Sequence, residues 1–335
     1  MNKWIVAVLV LVCEAVTAQQ LQQPAYTLPL YDSATFKQDI PASFSPRLAK
    51  QPPFSKKTRL YTVSAANITA FTALTFSLYN TWYNSYNQTG FHFFNDMDEW
   101  LQVDKMGHSY SAYTIARLNM NMWQWAGVPH KKSVWLGAFT GTAFLTMVEV
   151  YDGFSSGWGW SWGDFAANVT GPGLLVGQEL LWQEQRISFK FSFHKKNYGS
   201  PVLNQRADDI YGNKLSERML KDYNGQTYWL SANLHSFFRN SGLPRWLNIA
   251  AGYGADNMFG ARPDSWKDAS GNPIYLTGDL KRYRQFYIAP DIDLTRIKTR
   301  SKWLRTTFSI LNSVKFPAPS VEFSRGKVSW NWLHF

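Results

Sequence analysis

The sequence predicts an α+β fold, an amino-terminal helical bundle of about four helices followed by an antiparallel β region. Three observations carry this expectation. From Leu60 to about Gln185 apolar residues recur at helical spacing, and from Ile187 onward they alternate one-for-one with polar ones. The third is composition: of 335 residues, 45% are hydrophobic and 17% aromatic, with 16 Trp, 17 Tyr and 23 Phe. That balance excludes a disordered chain, a collagen-like repeat, a coiled coil and a disulfide scaffold. A mean hydropathy of −0.30 argues against a polytopic helical membrane protein. The aromatic load instead suits a chain working at or near a membrane, where amphipathic rings settle at the interface.

The elements follow in order. Residues 1–18 read as a secretory signal peptide: Lys3 supplies the charge, Ile5 to Val12 the apolar run, and Val16-Thr17-Ala18 the compact cleavage site. The single cysteine, Cys13, lies inside it. A lipoprotein cleavage before Cys13 would place bulky Val12 where a small residue belongs, so cleavage is expected after Ala18. The mature chain then has no disulfide and no thiol chemistry. Residues 19–59, with Pro41, Pro46, Pro52 and Pro53, read as an extended polar arm.

Residues 60–185 are expected to form the helical domain, with helices over 65–83, 100–125, 133–151 and 164–185. The apolar stretch from Val134 to Val148 falls short of the ~20 residues of a spanning helix. Gly137, Ala138 and Gly141 would permit close helix approach. Residues 186–335 are expected to form the antiparallel β region, opened by Ile187, Phe189, Phe191 and Phe193 alternating with polar residues. Weaker alternations predict strands over 228–237, 247–253, 286–294, 321–323 and 328–335, and Tyr253 to Gly260 reads as a turn. The last strand carries Trp330, Trp332 and Phe335, as bacterial outer-membrane barrels do. Six strands nevertheless fall short of the roughly eight such barrels need, so a sheet packed on the helices is the expected architecture.

Chemistry concentrates in polar pairs on otherwise apolar helices. Asp104 and His108 stand four apart on one helical face, with Lys105 beside them and Tyr113 and Arg117 farther along. Glu149 and Asp152 end the third helix, and Asp164 and Asn168 begin the fourth. Between these lies a glycine-rich loop bearing Trp158, Trp160 and Trp162, which suit stacking on sugars, dipping into a membrane interface, or covering the helical core. Asp104, His108, Glu149 and Asp164 are the candidate catalytic residues. Lys105, Tyr113, Arg117, Asp152 and Asn168, with the three tryptophans, are the candidate binding residues. Several carboxylates with one imidazole can hold a divalent metal. They can also form a general acid–base pair when burial raises a carboxyl pKa. Equally, they can be a buried structural network in which Lys105 or Arg117 neutralises Asp104 or Glu149. Neither His-Glu-x-x-His nor a phosphate-binding glycine loop occurs. Beyond a divalent metal at this cluster, no cofactor is expected.

The order Asp104-Lys105-x-x-His108-x-x-x-x-Tyr113, Glu149-x-x-Asp152-Gly153 and Ser161-x-Gly163-Asp164-x-x-Ala167-Asn168-x-x-Gly171 resembles the YfiM-type family of predicted periplasmic lipoproteins. More distantly it is similar to the VanZ-like envelope proteins. The likeness is strongest over about residues 91–185, and the stretches Lys221 to Ser231 and Lys315 to Pro319 look like the longer bacterial members. The resemblance implies an exported protein of the periplasm or outer membrane of a Gram-negative bacterium, and no particular activity.

Lys plus Arg is 34 against 23 Asp plus Glu, a net charge of +11. One basic group runs from Arg47 to Arg59 and another from Lys281 to Arg305. No nucleic-acid recognition module accompanies them, so no nucleic acid is expected. Membrane lipid, through its phosphates, or another envelope component is the expected partner. The Asn-x-Thr matches at Asn67, Asn87 and Asn168 matter only in a eukaryotic secretory route. The sequence thus predicts an exported cell-envelope protein, structural or lipid-contacting, with a polar cluster joining three helices. The alternatives are an envelope lipid or glycan hydrolase using the His/carboxylate site and a small outer-membrane barrel with a helical portion.

Overall fold

The computed structural model describes residues 54–81, 83, 86–262, 265–267 and 271–335. The expected signal peptide, Cys13 and the arm up to residue 53 lie outside the described residues. Helix α1 (Lys56–Thr81) takes in the last four residues of the expected arm and starts nine residues before the expected helix at 65. Ser55 Oγ accepts the Thr58 backbone N–H at 3.1 Å, an N-cap that starts the helix.

A 3-10 turn (Glu99–Gln102) leads into α2 (Val103–Trp125), followed by α3 (His130–Gly153) and α4 (Trp162–Trp182). These three helices pack tightly because glycines stand where their backbones meet. A Cβ on Gly141 of α3 would lie 2.4 Å from the Ala112 carbonyl oxygen, and one on Gly171 of α4 2.0 Å from that of Ser109. Val103, Ala116, Met120, Val134 and Leu175 fill the core between them. With 24 residues, α3 is longer than its apolar stretch suggested, and by length and composition it is sufficient to cross a membrane.

The second half is less purely β than expected. Strands β1 (Ile187–Phe193), β2 (Gln226–Asn233) and β3 (Leu247–Asp256) are interrupted by α5 (Pro201–Tyr211), α6 (Leu215–Lys221) and the four-residue α7 (Leu234–Phe237). Residues 234–237 were expected to continue a strand. Asn233 Oδ1 caps them instead, accepting the Ser236 N–H at 2.9 Å. Strand β3 runs on to Asp256, so the expected turn from Tyr253 begins only at Asn257, with φ +60°. A small hairpin of β4 (Ser265–Lys267) and β5 (Pro273–Tyr275) precedes β6 (Tyr283–Ile292), and α8 (Lys302–Leu311) precedes β7 (Ala318–Ser324) and β8 (Lys327–His334).

The six long strands form one antiparallel sheet in the order β1-β2-β3-β6-β7-β8. Its β1 side packs on the bundle through Phe189, Phe191 and Tyr228, whose rings meet Tyr110 of α2 at 5.7–5.8 Å. The sheet also rolls on itself. Phe191 exchanges backbone hydrogen bonds with Ser313 and Lys315, which brings residues 313–315 along the free edge of β1. From the far edge, His334 reaches Thr227 of β2 at 3.2 Å and lies over the Tyr287 ring at 4.2 Å. Polar side chains face the inside of this roll. Lys190 and Asp291, both fully buried, pair there at 2.7 Å; Ser231 donates to the same carboxylate at 2.6 Å, and Lys315 stands 3.9 Å away.

Candidate functional site

The approach to α2 is strained. Trp100, Leu101 and Gln102 all have left-handed backbones (φ +46°, +50° and +64°), each costing about 1–2 kcal/mol outside glycine. Tertiary contacts hold the turn: the Trp100 N–H donates to Ala261 O at 2.9 Å, Tyr253 donates to Leu101 O, and Arg284 donates to Gln102 Oε1 at 2.7 Å. This turn delivers Asp104 and Lys105 into the first turn of α2. Ser161 does the equivalent for α4. Its Oγ accepts the Asp164 N–H at 3.1 Å and donates to Asp96 at 2.5 Å.

Three helices thereby point their polar residues at one centre, as the spacing suggested. The Lys105 ammonium sits 2.7, 2.8 and 2.9 Å from Asp96, Asp104 and Asp164. His108 Nδ1 donates to Asn168 Oδ1 at 3.0 Å and lies 3.4 Å from Glu149, while Nε2 faces Asp164 at 3.9 Å. Asp152 accepts from Tyr83 at 2.7 Å.

Charge is out of balance here: five carboxyl groups meet one permanent cation. Burial, reinforced by the neighbouring Asp164 and Asp152, pushes Glu149 up to about 9. Burial and the hydrogen bond with Asp96 push Asp164 up to about 8. Asp152 rises to about 6, also by burial, and Asp104 rises for the same reason despite Lys105. Asp96 goes the other way, because hydrogen bonds from Asp164, Lys105 and Ser161 outweigh its burial. Burial pulls His108 below the ordinary imidazole range, which keeps it neutral. Lys105 is held above the ammonium range, since Asp104 and Asp164 overcome its desolvation. At neutral pH the centre therefore holds protonated carboxyls beside a neutral imidazole.

Three carboxyl oxygens, Glu149 Oε1, Asp104 Oδ1 and Asp164 Oδ1, make no hydrogen bond, the last standing 2.9 Å from the Lys105 ammonium. Ligand atoms of His108, Glu149 and Asp164 lie within 4.8 Å of one another, as do those of Asp96, Asp104 and Asp164. The second trio already surrounds the Lys105 ammonium, so only the first has room for a divalent cation.

Beside the centre runs an open groove of about 700 Å³, lined by Met97, Met106, Trp162 and Phe286 with Lys105 and Arg284 as its cations. Trp162 is exposed at its rim, stacked on Phe93 at 6.0 Å. Trp160 meets Trp162 edge-on at 5.5 Å, and both rest on Phe165, whereas Trp158 stands apart on Tyr83 and Tyr86, covering the end of the bundle.

Two expected members stand apart. Tyr113 is buried against Phe189, its hydroxyl on Gln185 at 3.2 Å, and the Arg117 charge acts on Tyr113. Both lie more than a turn beyond His108, where α2 faces the sheet. Conversely, Asp96 and Tyr83 belong to the centre and went unread. Asp96 sits in an acidic run before the left-handed turn, and only the tertiary contact through Ser161 connects it to the cluster.

Every residue of the centre except Tyr83 falls within the segment that matches a family model. The VanZ-like likeness finds no support, and neither a curated protein nor a solved structure matches the chain. Residues 92–177 match the model of a family described as predicted periplasmic lipoproteins (DUF2279), which fits an exported protein of the cell envelope.

Proposed function

We propose that this envelope protein is a hydrolase acting on the polar part of a membrane lipid presented in the groove. The observation that carries this reading is that Lys105 belongs at once to the carboxylate centre and to the lining of an apolar groove with a second cation, Arg284. Apolar walls with two cations suit a lipid whose anionic headgroup enters last. With Nδ1 committed to Asn168, His108 Nε2 is left to accept a proton from an attacking water. Asp164, protonated up to about pH 8, would donate to the departing oxygen. Glu149, held neutral by its burial, puts no anion behind the imidazole, whose own burial keeps it uncharged. Were a divalent cation bound instead, His108, Glu149 and Asp164 would be its ligands rather than base and acid, and the cation would lower the pKa of a bound water.

A non-catalytic, lipid-contacting role is favoured by one observation, the three ion pairs of Lys105, which tie two helices and the preceding loop together. The test is release of fatty acid or headgroup from phosphatidylethanolamine–phosphatidylglycerol vesicles by the full chain, with and without a chelator. Hydrolysis is expected from the wild type. Asp164→Asn and His108→Ala should each lose about 100-fold or more, with melting midpoints close to wild type. No release by the wild type, together with a steep fall in the variants' midpoints, would leave the centre as a structural network.

A further inference from the structure

We infer that the outer wall of the rolled sheet is a lipid-facing surface, seated in the hydrocarbon layer of an envelope membrane. The inference rests on the direction of the sheet's two faces rather than on the hydrolytic reading, with which it shares only Phe286 of the groove lining. In a water-soluble sheet the apolar face is buried and the polar face wet. Here the order is reversed. Cross-strand neighbours on the inner face are Lys190 and Trp229, Ser231 and Ala250, and Glu322 and Tyr287, almost all buried. The outer face presents Leu230, Ile249, Phe286 (51% exposed), Ile288 (47%), Val328 (67%) and Trp332 (80%).

This is one continuous wall. Phe286 and Phe323 are neighbours across β6 and β7, and Val328 continues the row on β8; on β3 the row ends at Tyr253, where the bundle covers this face. Apolar area of that extent is unstable against water and needs a cover. Polar inside and apolar outside is the arrangement that hydrocarbon imposes on a strand layer, with backbone groups satisfied within the sheet. The ten-residue strands β3 and β6 also have the reach, since a strand of that length covers roughly 33 Å against an apolar band of about 25 Å in membrane barrels.

The end of the roll identifies the cover as lipid rather than another protein. Where β2, β3 and β6 converge, the exposed Arg245 and Trp246 are held by Asn233 and Asp293, and the exposed Phe238 follows the short α7 at the end of β2. Aromatic rings at the edge of an apolar wall, with a cation beside them, match the boundary between acyl chains and anionic headgroups.

The deciding experiment is flotation of the full chain with phosphatidylethanolamine–phosphatidylglycerol vesicles, together with quenching of tryptophan emission by lipids brominated along the acyl chain. Wild type should float and be quenched, and Trp330→Phe/Trp332→Phe should lose much of that quenching. Ile288→Lys/Phe323→Lys should reduce the vesicle-bound fraction about tenfold, and Val328→Lys, near the end of the sheet, should reduce it less. Near-ultraviolet circular dichroism of each variant checks that the fold survives. Asp164→Asn should float like wild type, which separates this surface from the hydrolytic centre. A wild type that stays soluble, unquenched and monomeric without detergent would overturn the inference. So would a soluble dimer in which Ile288→Lys/Phe323→Lys abolishes dimerisation, since the cover would then be a second copy.

Discussion

The two halves of the molecule each bury a lysine among carboxylates, but with opposite charge balance. In the bundle, one ammonium, Lys105, serves Asp96, Asp104 and Asp164, with Glu149 and Asp152 close by. Inside the rolled sheet, two ammoniums, Lys190 and Lys315, share the single carboxylate of Asp291. The bundle centre relieves its excess by holding protons, and protonated carboxyls can do acid–base work. The sheet centre has one anion, with hydrogen bonds from Ser231 and to the Ile292 carbonyl completing it. Buried charge is thus adaptable in the first place and fastening in the second.

This contrast is open to attack, beginning with the largest effect. Asp291→Asn leaves two buried lysines facing each other without their anion. It should cost about 3–5 kcal/mol, read as a lower midpoint of urea unfolding. A loss below about 1 kcal/mol would mean that the roll is not fastened by this carboxylate.

Glu149→Gln should behave differently, because glutamine resembles the protonated form already present. Glu149 is raised from the ordinary carboxyl range to about 9, so between about pH 4.5 and 9 the native state holds a proton that the unfolded state has released. Its contribution is complete at the acid end and is lost as pH rises towards 9. The variant should melt near wild type at about pH 4.5 and progressively above it as pH rises, by several degrees at pH 9. Parallel wild-type and variant curves would show that the carboxyl is ionised throughout. The smallest effect belongs to Tyr113→Phe, which removes the hydroxyl contact with Gln185. About 1 kcal/mol of stability should go, with lipid hydrolysis changed less than twofold, because the residue is outside the centre.

The helical part of the site was legible because it is local. Asp104 and His108, and likewise Asp164 and Asn168, meet through the period of a single helix, and the apolar faces around them brought the three helices together. The same rule misled at Tyr113 and Arg117, whose spacing continues the face of Asp104 and His108 although α2 has by then left the carboxylates for the sheet. Asp96 could not be read because a left-handed turn separates it from Lys105, and no periodicity crosses such a turn. The α5 and α6 segments were missed because both are short, eleven and seven residues, and give few turns over which a helical period can repeat.

What the sequence determined by itself was therefore periodicity: where helices give way to strands, which residues share a face, and which faces are apolar. Alternation along β1, β3 or β6 divides a strand into two faces, but it is symmetric between inside and outside. Only closure of the sheet, through Ser313 and Lys315 on the edge of β1 and His334 across Thr227 and Tyr287, decided which face is enclosed. A strand's pattern is set by its own side chains, whereas the sense in which a sheet curls depends on contacts between residues far apart in the chain.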